Sequence, residues 1–431
     1  MKFKKALFLR TLGASLFFIA LTIKLFSQES YHIPAQIPTI SEAVQAAQDG
    51  DTLYISSGLY TDSVQIRNKE LVIIGQGDTP PLFSPTPDQA SAFDVKDAKV
   101  QFWNLAFTDL DQQTSPPNIG INAYNADLLV QHCSFDQLFT PMSLFMGNLQ
   151  VSHSIFTNTR GSHAITLNLG TFLIHNNLIA KGDYQGIFIN RSHGHIFNNT
   201  MIGTATTEHF GIIINSDSIT HIFNNIITNF GIGIVNLASD STELNALRID
   251  HNNIYETAAP YRYEYNESLN FPIYYGDLIP NPGTGEIHEP ALFLDPNQGN
   301  FHLQEGSPCI DAGSDDFPFP VQEDLAGAQR LAGNATDIGA YEWPVPLGGN
   351  EGLLSAEVII YPQPARDWVS VSVEKPFSGQ VQVKTMDGKL IKAVEVKQVK
   401  LIHLECSIPA GFYLVQLVNQ EPFYSQLLIV Q

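Results

Sequence analysis

Side chains that could carry acid–base chemistry cluster between residues 160 and 193. Arg160, Lys181 and Arg191 are three of only ten basic residues in residues 28–354, a region with 36 acidic ones. A lyase needs a base and a cation that neutralises developing negative charge, whereas a glycosidase needs paired carboxylates. Asp183 and His193 could serve as the base. These five residues are therefore the candidate catalytic set.

No complete catalytic motif accompanies this set. The sequence has no GxSxG, P-loop or HExxH motif and no Cys–His arrangement. The alternative interpretation is that the five residues are solvated loop residues or belong to a weak sugar-binding surface.

Four acidic side chains at loop positions offer a second kind of chemistry. They are Asp311, Asp324, Asp337 and Glu342. Calcium takes hard oxygen ligands from flexible loops, so these four are candidate calcium ligands. The alternative is that Asp311 and Asp337 accept backbone N–H groups in turns, in which case the protein needs no cofactor.

A repeated phrase predicts the elements that position these residues. It is short, rich in Ile, Phe and Leu, and occurs as HCSF (132–135), HSIF (153–156), HNNLI (175–179), FNNTMI (197–202), FNNII (223–227) and HNNIY (251–255). A fixed period of roughly 20–50 residues is typical of a solenoid. Each phrase has strand length, so we predict a parallel β-helix with two or three short strands per coil.

Paired asparagines recur within the phrase. We predict a structural column of Asn176, Asn198, Asn224 and Asn252, whose amides bond to neighbouring coils and to turn backbone. The asparagines that follow them would form a second column: Asn177, Asn199, Asn225 and Asn253.

Three histidines recur with the same phrase. His132, His153 and His175 should stack in one column that Phe197 and Phe223 continue. Equivalent residues of successive coils lie about 4.8 Å apart along a line. Such a line does not converge on one ion, so we expect a structural stack rather than a metal site.

Residues 37–74 begin the solenoid with a short helix and a first coil. Thr39 and Glu42 make a capping box, and Gly50 should end the helix. The phrase PTIxEAVxAAxDGDTLYIxxGxYxxxVxI resembles the opening of the right-handed parallel β-helix proteins related to pectin lyases. The open end of a β-helix exposes core and strand edges, which a helix must cover. We expect eight or nine coils up to about Tyr255.

Residues 28–343 are expected to form this β-helix, with residues 289–343 as a closing segment. EPALFLD, SPCIDAG and TDIGAYEW resemble the segment that closes many bacterial surface β-helices. A Pro/Gly linker follows at residues 344–354.

Residues 355–431 are predicted to form a small β-sandwich of seven short strands. YPQPA (361–365), MDGKLI (386–391), IPAGFYLVQL (408–417) and the terminal QLLIV resemble the C-terminal sorting domain of type IX secretion, although Gln363 stands where that family usually has Asn. The resemblance implies the type IX machinery as a partner and passage across the outer membrane. The mature protein would then be at the cell surface or in the extracellular space.

Residues 1–27 are predicted to be a signal peptide, with Lys2, Lys4, Lys5 and Arg10 before the apolar run Leu12–Ile23. Loss of its five basic residues lowers the net charge from −21 to −26. Residues 355–431 hold seven basic and seven acidic residues, so the whole charge lies on residues 28–354. Such a surface repels nucleic acid and anionic lipid. No later apolar stretch is long enough to span a bilayer.

The three cysteines, Cys133, Cys309 and Cys406, are far apart and odd in number. They make no disulfide framework and have no zinc-site spacing, so we interpret them as small buried side chains.

Two functions from different classes remain open. The first is a non-catalytic surface β-helix for carbohydrate binding or adhesion, which predicts aromatic platforms. The second is an exported polysaccharide lyase or glycoside hydrolase acting in a groove along the β-helix. This alternative predicts carboxylates and a base that converge in that groove.

Overall fold

The computed structural model describes residues 29–77, 79–86, 88–110, 118–161, 163–182, 185–205, 208–215, 218–238, 247–265, 273–275, 283–316, 321–331, 333–343, 358–361, 368–385, 390–405, 411–419 and 421–430. The predicted signal peptide and linker lie outside them, as do Asp183 and Cys406.

The first part of the chain consists of short strands and one helix, α1 (Ile40–Ala46). The strands are β1 (Ser30–Ile33), β2 (Asp51–Ser56), β3 (Leu59–Tyr60), β4 (Val64–Arg67), β5 (Glu70–Gln76), β6 (Leu82–Phe83), β7 (Ser91–Lys96), β8 (Lys99–Trp103), β9 (Ala106–Thr108), β10 (Ile119–Gln131), β11 (Ser134–Asp136), β12 (Thr140–Ser152), β13 (Ile155–Thr157), β14 (His163–His175), β15 (Leu178–Ala180), β16 (Gln185–Asn190), β17 (His193–Phe197), β18 (Thr200–Ile202), β19 (Phe210–Asn215), β20 (Ile219–Phe223), β21 (Ile226–Thr228), β22 (Ile232–Ala238), β23 (Leu247–Asp250), β24 (Asn253–Tyr255), β25 (Ala259–Tyr265) and β26 (Ile273–Tyr275).

These strands wind into nine coils, and each coil adds one strand to each of three parallel faces. Face A holds β2, β5, β8, the second halves of β10, β12 and β14, and then β17, β20 and β23. Face B holds β4, β7, the first halves of β10, β12 and β14, and then β16, β19, β22 and β25. Face C holds β3, β6, β9, β11, β13, β15, β18, β21 and β24. The predicted β-helix of eight or nine coils is confirmed.

Equivalent residues of successive coils pair in register, so the core is a set of parallel columns. The inward column of face A is at most 1% exposed and consists of Leu53, Ile73, Phe102, Val130, Val151, Ile174, Ile196, Ile222 and Ile249. Burying one such side chain contributes roughly 1.5–3 kcal/mol relative to exposure. The apolar positions of the repeat therefore hold the coils together.

Helix α1 packs on the first strands through its buried residues Ile40, Ala43 and Val44. The Thr39 side chain accepts a hydrogen bond from the Glu42 N–H at 3.2 Å, which confirms the predicted N-terminal cap. The helix ends at Ala46, earlier than the expected end at Gly50.

The corner between faces A and C explains why His or Asn occurs at the first or second position of each phrase. One residue in each of the last seven coils takes a left-handed conformation there, with φ between 50° and 56°. These residues are Asn104, His132, His153, Asn176, Asn198, Asn224 and His251. Asn and His tolerate this conformation better than most residues that carry a side chain.

The residue after this corner position points inward and builds the asparagine ladder. Asn177, Asn199, Asn225 and Asn252 each accept, at their side-chain oxygen, the backbone N–H of the preceding coil at 3.0–3.1 Å. The ladder ends at Glu286, whose carboxylate accepts the Asn252 N–H at 2.9 Å.

The prediction that Asn176, Asn198 and Asn224 belong to the ladder was therefore wrong by one residue. Asn252 belongs with the inner column, whereas Asn176, Asn198 and Asn224 are the left-handed corner residues. Within the described chain, neither amide atom of Asn198 has a hydrogen-bond partner. The repeated HNN and FNN letters do not show which asparagine turns inward; the corner conformation decides it.

The histidine column has the same one-residue shift. His132 stacks on His153 with ring centroids 5.0 Å apart, but His175 lies in the neighbouring column. There it stacks on Phe197 at 4.9 Å, and Phe197 stacks on Phe223 at 4.8 Å. Burial lowers the pKa of His175 to about 3, so this ring is neutral at physiological pH.

The predicted closing segment runs along the outside of face C rather than across the end of the solenoid. It contains β27 (Phe293–Asp295), a 3-10 turn (Pro296–Gln298) and β28 (Asn300–Leu303). Its apolar side chains form one buried cluster with outward residues of face C: Leu178, Ala180, Ile202, Ile226, Ala291, Phe293, Phe301, Leu303, Cys309, Ile338, Ala340 and Tyr341. The segment therefore shields the apolar outer side of that face.

Two of the three cysteines fall in the described part of the chain. Cys133 and Cys309 are free and buried, as expected. Burial raises the pKa of both thiols, to about 12 and about 11 respectively, so both are protonated small side chains.

The C-terminal region is an antiparallel sheet of five strands. They are β29 (Val358–Tyr361), β30 (Trp368–Thr385), β31 (Leu390–Glu405), β32 (Gly411–Asn419) and β33 (Glu421–Val430). Four of the seven predicted strands merge into β30 and β31, whose pairing has register shifts. Val371 and Val381, from the two ends of β30, share one core cluster.

Candidate functional site

Arg160, a candidate for catalysis, is used in packing. It lies at the corner between faces C and B, where its guanidinium pairs with Asp109. Its Nε donates to the Gln137 carbonyl at 2.7 Å. The Asp109 carboxylate is fully buried, so this ion pair stabilises the corner from inside the protein.

The other basic candidates do not converge. Lys181 is exposed directly after β15, at the corner between faces C and B, whereas Arg191 is exposed directly after β16, at the corner between faces B and A. His193 begins β17 on face A, and its Nδ1 accepts the Ile219 N–H at 3.1 Å. Asp183 lies outside the described residues. The described members therefore form no common groove.

Two of the calcium candidates accept backbone N–H groups. Asp311 Oδ1 accepts from Asn334 at 2.7 Å and Ala335 at 3.2 Å. Asp337 accepts from Asp311 at 2.8 Å and Trp343 at 2.6 Å. The Ala335 N–H holds the pKa of Asp311 below its usual value, whereas burial raises that of Asp337 to about 6.

The other two calcium candidates are also engaged. Asp324 accepts the N–H groups of Ala326 and Ala328 at 2.8 and 2.7 Å, and that of Glu342 at 2.8 Å. Glu342 pairs with the buried Arg330 at 2.8 Å. The described residues include no group of three or more His, Cys, Asp or Glu side chains placed to hold a metal ion.

Arg330 fastens the closing segment to the corner between faces A and C. Its Nη2 donates to Asn176 Oδ1 at 2.8 Å and to the Gly339 carbonyl at 2.6 Å. Its side chain is 1% exposed, as is that of Glu342. Sequence patterns gave no reason to single out this arginine, because its partner Asn176 lies 154 positions away.

An outward column on face B combines aromatic, cationic and amide side chains. We call it the face B strip; its members occupy equivalent positions of successive coils and are Arg67, Lys96, Tyr124, Phe145, Asn168 and Asn190. Each is the last residue of a face B strand or of the face B half of a longer one. The strand therefore fixes its outward direction.

Two exposed aromatic rings form the centre of the strip. Tyr124 and Phe145 are 46% and 41% exposed, and their rings are parallel within 9° at a centroid distance of 5.6 Å. Lys96 Nζ lies 5.4 Å from the Tyr124 ring centroid. Beyond the rings, Asn190 donates to Asn168 at 2.9 Å.

The sequence did not reveal this strip because its six members are of five residue types, and only Asn168 and Asn190 are identical. A repeated phrase detects identical letters, whereas the strip has Lys, Tyr, Phe and Asn at equivalent positions. The detectable signal was the position of each member, which directly precedes the corner between faces B and A.

No helix among the described residues is long and apolar enough to cross a membrane.

Comparison with known proteins agrees with this architecture. Residues 90–254 match the family described as right handed beta helix region, and residues 359–431 match the secretion system C-terminal sorting domain. No curated protein sequence matches the chain.

Several solved structures are similar to the chain at low identity. Pectate lyase Pel9A is 11% identical with a TM-score of 0.34, over 73% of this chain and 96% of that one. A pectin methylesterase in complex with a hexasaccharide is 10% identical with a TM-score of 0.28, over 60% and 87%. A mannuronic acid specific polysaccharide family 6 lyase from human gut microbiota is 12% identical with a TM-score of 0.24, over 53% and 64%.

The two matched regions account for the two parts of the molecule. The sorting domain directs secretion by the type IX system to the cell surface or the extracellular space. The chain is thus a secreted right-handed parallel β-helix protein with a C-terminal type IX sorting domain.

Proposed function

We propose that the mature protein is a non-catalytic surface β-helix that binds carbohydrate through the face B strip, as an adhesion or glycan-binding module. The exposed Tyr124–Phe145 ring pair carries this proposal. Soluble proteins usually bury large aromatic side chains, and exposed apolar groups rimmed by polar residues mark binding surfaces.

The strip has the chemistry that a sugar chain requires. A sugar ring has apolar C–H faces and polar hydroxyl groups, so its site combines apolar contact with a few placed polar groups. Tyr124 and Phe145 supply the apolar contact. Asn168 and Asn190 supply amide donors and acceptors in the next two coils, about 4.8 Å apart.

Electrostatics favours a neutral glycan over a polyanionic one. Residues 28–354 hold 36 acidic and 10 basic residues, which repel a polyuronate at long range. Arg67 on the strip is paired with Asp94, and this ion pair weakens the attraction between Arg67 and a carboxylate of the ligand. Lys96 remains as the cation of the strip, and it lies over the Tyr124 ring.

The arrangement of the basic candidates supports a binding role over a catalytic one. Arg160 is paired with Asp109, and Lys181 and Arg191 lie at different corners of the coil. A lyase needs its base and its cation within hydrogen-bond reach of the same substrate atoms. The described residues of this region offer no such pair.

A glycan array with the purified chain tests the proposed surface. We expect binding to a neutral glycan, and about tenfold weaker binding for Tyr124→Ala and for Phe145→Ala, because each removes one ring face. Leu294→Ala and Leu331→Ala are matched controls, since these exposed side chains lie on the closing segment. Equal loss in the controls, or unchanged binding in both ring variants, would refute the site.

The sorting domain is proposed to be dispensable for folding of the β-helix. The core residues of the two regions form separate clusters, and the predicted linker joins them. A chain that stops at Pro346 should melt at the same temperature as the full chain but remain in the periplasm. Display of this shortened chain on the cell surface would show that the sorting role is wrong.

A further inference from the structure

Two imidazoles lie side by side on the outside of face A, whereas the strip lies on face B. His195 and His221 occupy equivalent positions of adjacent parallel strands β17 and β20. We propose that this pair, oriented by Asp250, binds a divalent transition-metal ion such as Zn²⁺, with water completing the shell.

The separation of the two rings suits a shared ion. Their centroids are 5.8 Å apart, with an angle of 65° between the ring planes. A zinc–nitrogen bond is about 2.0–2.1 Å, which places each ring centroid roughly 3.2 Å from the ion. Because zinc ligands are arranged tetrahedrally, two such centroids would be roughly 5.2 Å apart, and the observed distance exceeds this by only about 0.6 Å.

The state of the ring nitrogens also suits metal binding. His221 Nε2 lies 3.0 Å from Asp250 Oδ2, so the carboxylate takes its N–H and leaves the lone pair on Nδ1. His195 Nδ1 is buried and has no hydrogen-bond partner within the described chain.

Asp250 is the positioning residue of this pair. Its carboxylate is 5% exposed and accepts hydrogen bonds from His251 Nδ1 at 3.2 Å and Arg248 Nε at 2.8 Å as well as from His221. Arg248 is 61% exposed, and Asp316 lies 4.0 Å from its guanidinium. Asp250 and Asp316 thus offset the arginine charge beside the two imidazoles.

The donor set selects the class of ion. Imidazole nitrogens favour Zn²⁺, Cu²⁺ and Ni²⁺, whereas Ca²⁺ and Mg²⁺ require oxygen ligands. The net charge of −26 expected for the mature chain raises the local concentration of any cation. The selective site should therefore respond to Zn²⁺ and not to Ca²⁺ or Mg²⁺.

Thermal melting of the full chain, prepared without a polyhistidine tag, tests the site. We expect a saturable rise in the melting temperature with ZnCl₂ and none with CaCl₂ or MgCl₂, because a ligand that binds only the folded state stabilises it. The rise should vanish in His195→Gln and in His221→Gln. Asp250→Asn should weaken zinc binding by about 10–100-fold.

His302→Gln is the control, because the His302 ring contacts Tyr341 rather than a second imidazole. It should respond to zinc like the unaltered chain. An undiminished response in the His195 and His221 variants would overturn the proposal, as would the absence of saturable stabilisation. If those variants fail to fold, diethyl pyrocarbonate labelling of the unaltered chain decides: zinc must protect His195 and His221, and equal labelling with and without zinc refutes the site.

Discussion

Replacing Arg330 with methionine is expected to lower the free energy of unfolding by about 3–5 kcal/mol, the usual loss when one member of a buried ion pair is removed. The change leaves Glu342, Asn176 Oδ1 and the Gly339 carbonyl without their donor. Chemical denaturation measures the loss. Hydrogen exchange should also show faster exchange at Gly339, whose N–H bonds to the Asn224 carbonyl at the same junction.

The effect should depend on pH in a defined direction. Burial raises the pKa of Glu342, and the Arg330 guanidinium opposes that rise. Without Arg330 the folded state retains the Glu342 proton to a higher pH than the unfolded chain does. With Arg330 present the pKa of Glu342 is about 8, so the proton is retained in both proteins below that pH, and the additional loss of stability in the variant should appear as pH rises above about 8.

Arg67→Met is the matched control for this prediction. Arg67 also pairs with an aspartate, Asp94, but the two side chains are 34% and 35% exposed. Exposed pairs contribute about 0–1 kcal/mol. If the free energy of unfolding falls by the same small amount in both arginine variants, Arg330 does not hold the closing segment on the β-helix.

The second large effect is expected at Asn225, in the middle of the ladder. Its oxygen accepts the Asn199 N–H at 3.1 Å, and its amide donates to the Ile196 and Phe223 carbonyls at 2.9 Å. Asn225→Leu keeps the volume but leaves these buried groups unpaired, at about 1–3 kcal/mol each for at least two of them. We expect a loss of about 3–5 kcal/mol in chemical denaturation.

Asn198→Gly is the control for the ladder. Asn198 has φ of 53° and makes no amide hydrogen bond within the described chain. Glycine adopts this conformation readily, so we expect a loss of about 1 kcal/mol or less. A larger loss of stability in Asn198→Gly than in Asn225→Leu would show instead that the column with Asn176, Asn198 and Asn224 is the structural ladder.

The fold could be predicted from the sequence because apolar residues recur at a nearly constant spacing, once per coil. The equivalent residues Ile174, Ile196 and Ile222 are separated by 22 and 26 positions, so the sequence shows one coil of about this length directly. The sequence did not show in the same way which of two neighbouring asparagines points into the core. In HNNIY both Asn252 and Asn253 are buried, and only the left-handed turn at His251 shows which one enters the ladder.

The candidate sites were harder to predict because they depend on register between coils of unequal length. Arg160 looks available in the sequence, but its partner Asp109 lies 51 positions earlier. Tyr124 and Phe145 become a ring pair only when their strands are aligned. The acids from Asp311 to Glu342 resemble metal ligands until their backbone N–H partners are known.

Incubation of the purified chain with polygalacturonate, alginate and neutral glycans tests the proposed lack of catalysis most directly. Ultraviolet absorbance reports the unsaturated products of a lyase, and a reducing-end assay reports hydrolysis. We expect neither signal, with or without calcium, together with neutral-glycan binding that depends on Tyr124 and Phe145. Turnover that disappears in both Lys181→Ala and Asp183→Ala would contradict the proposal and make the protein an enzyme.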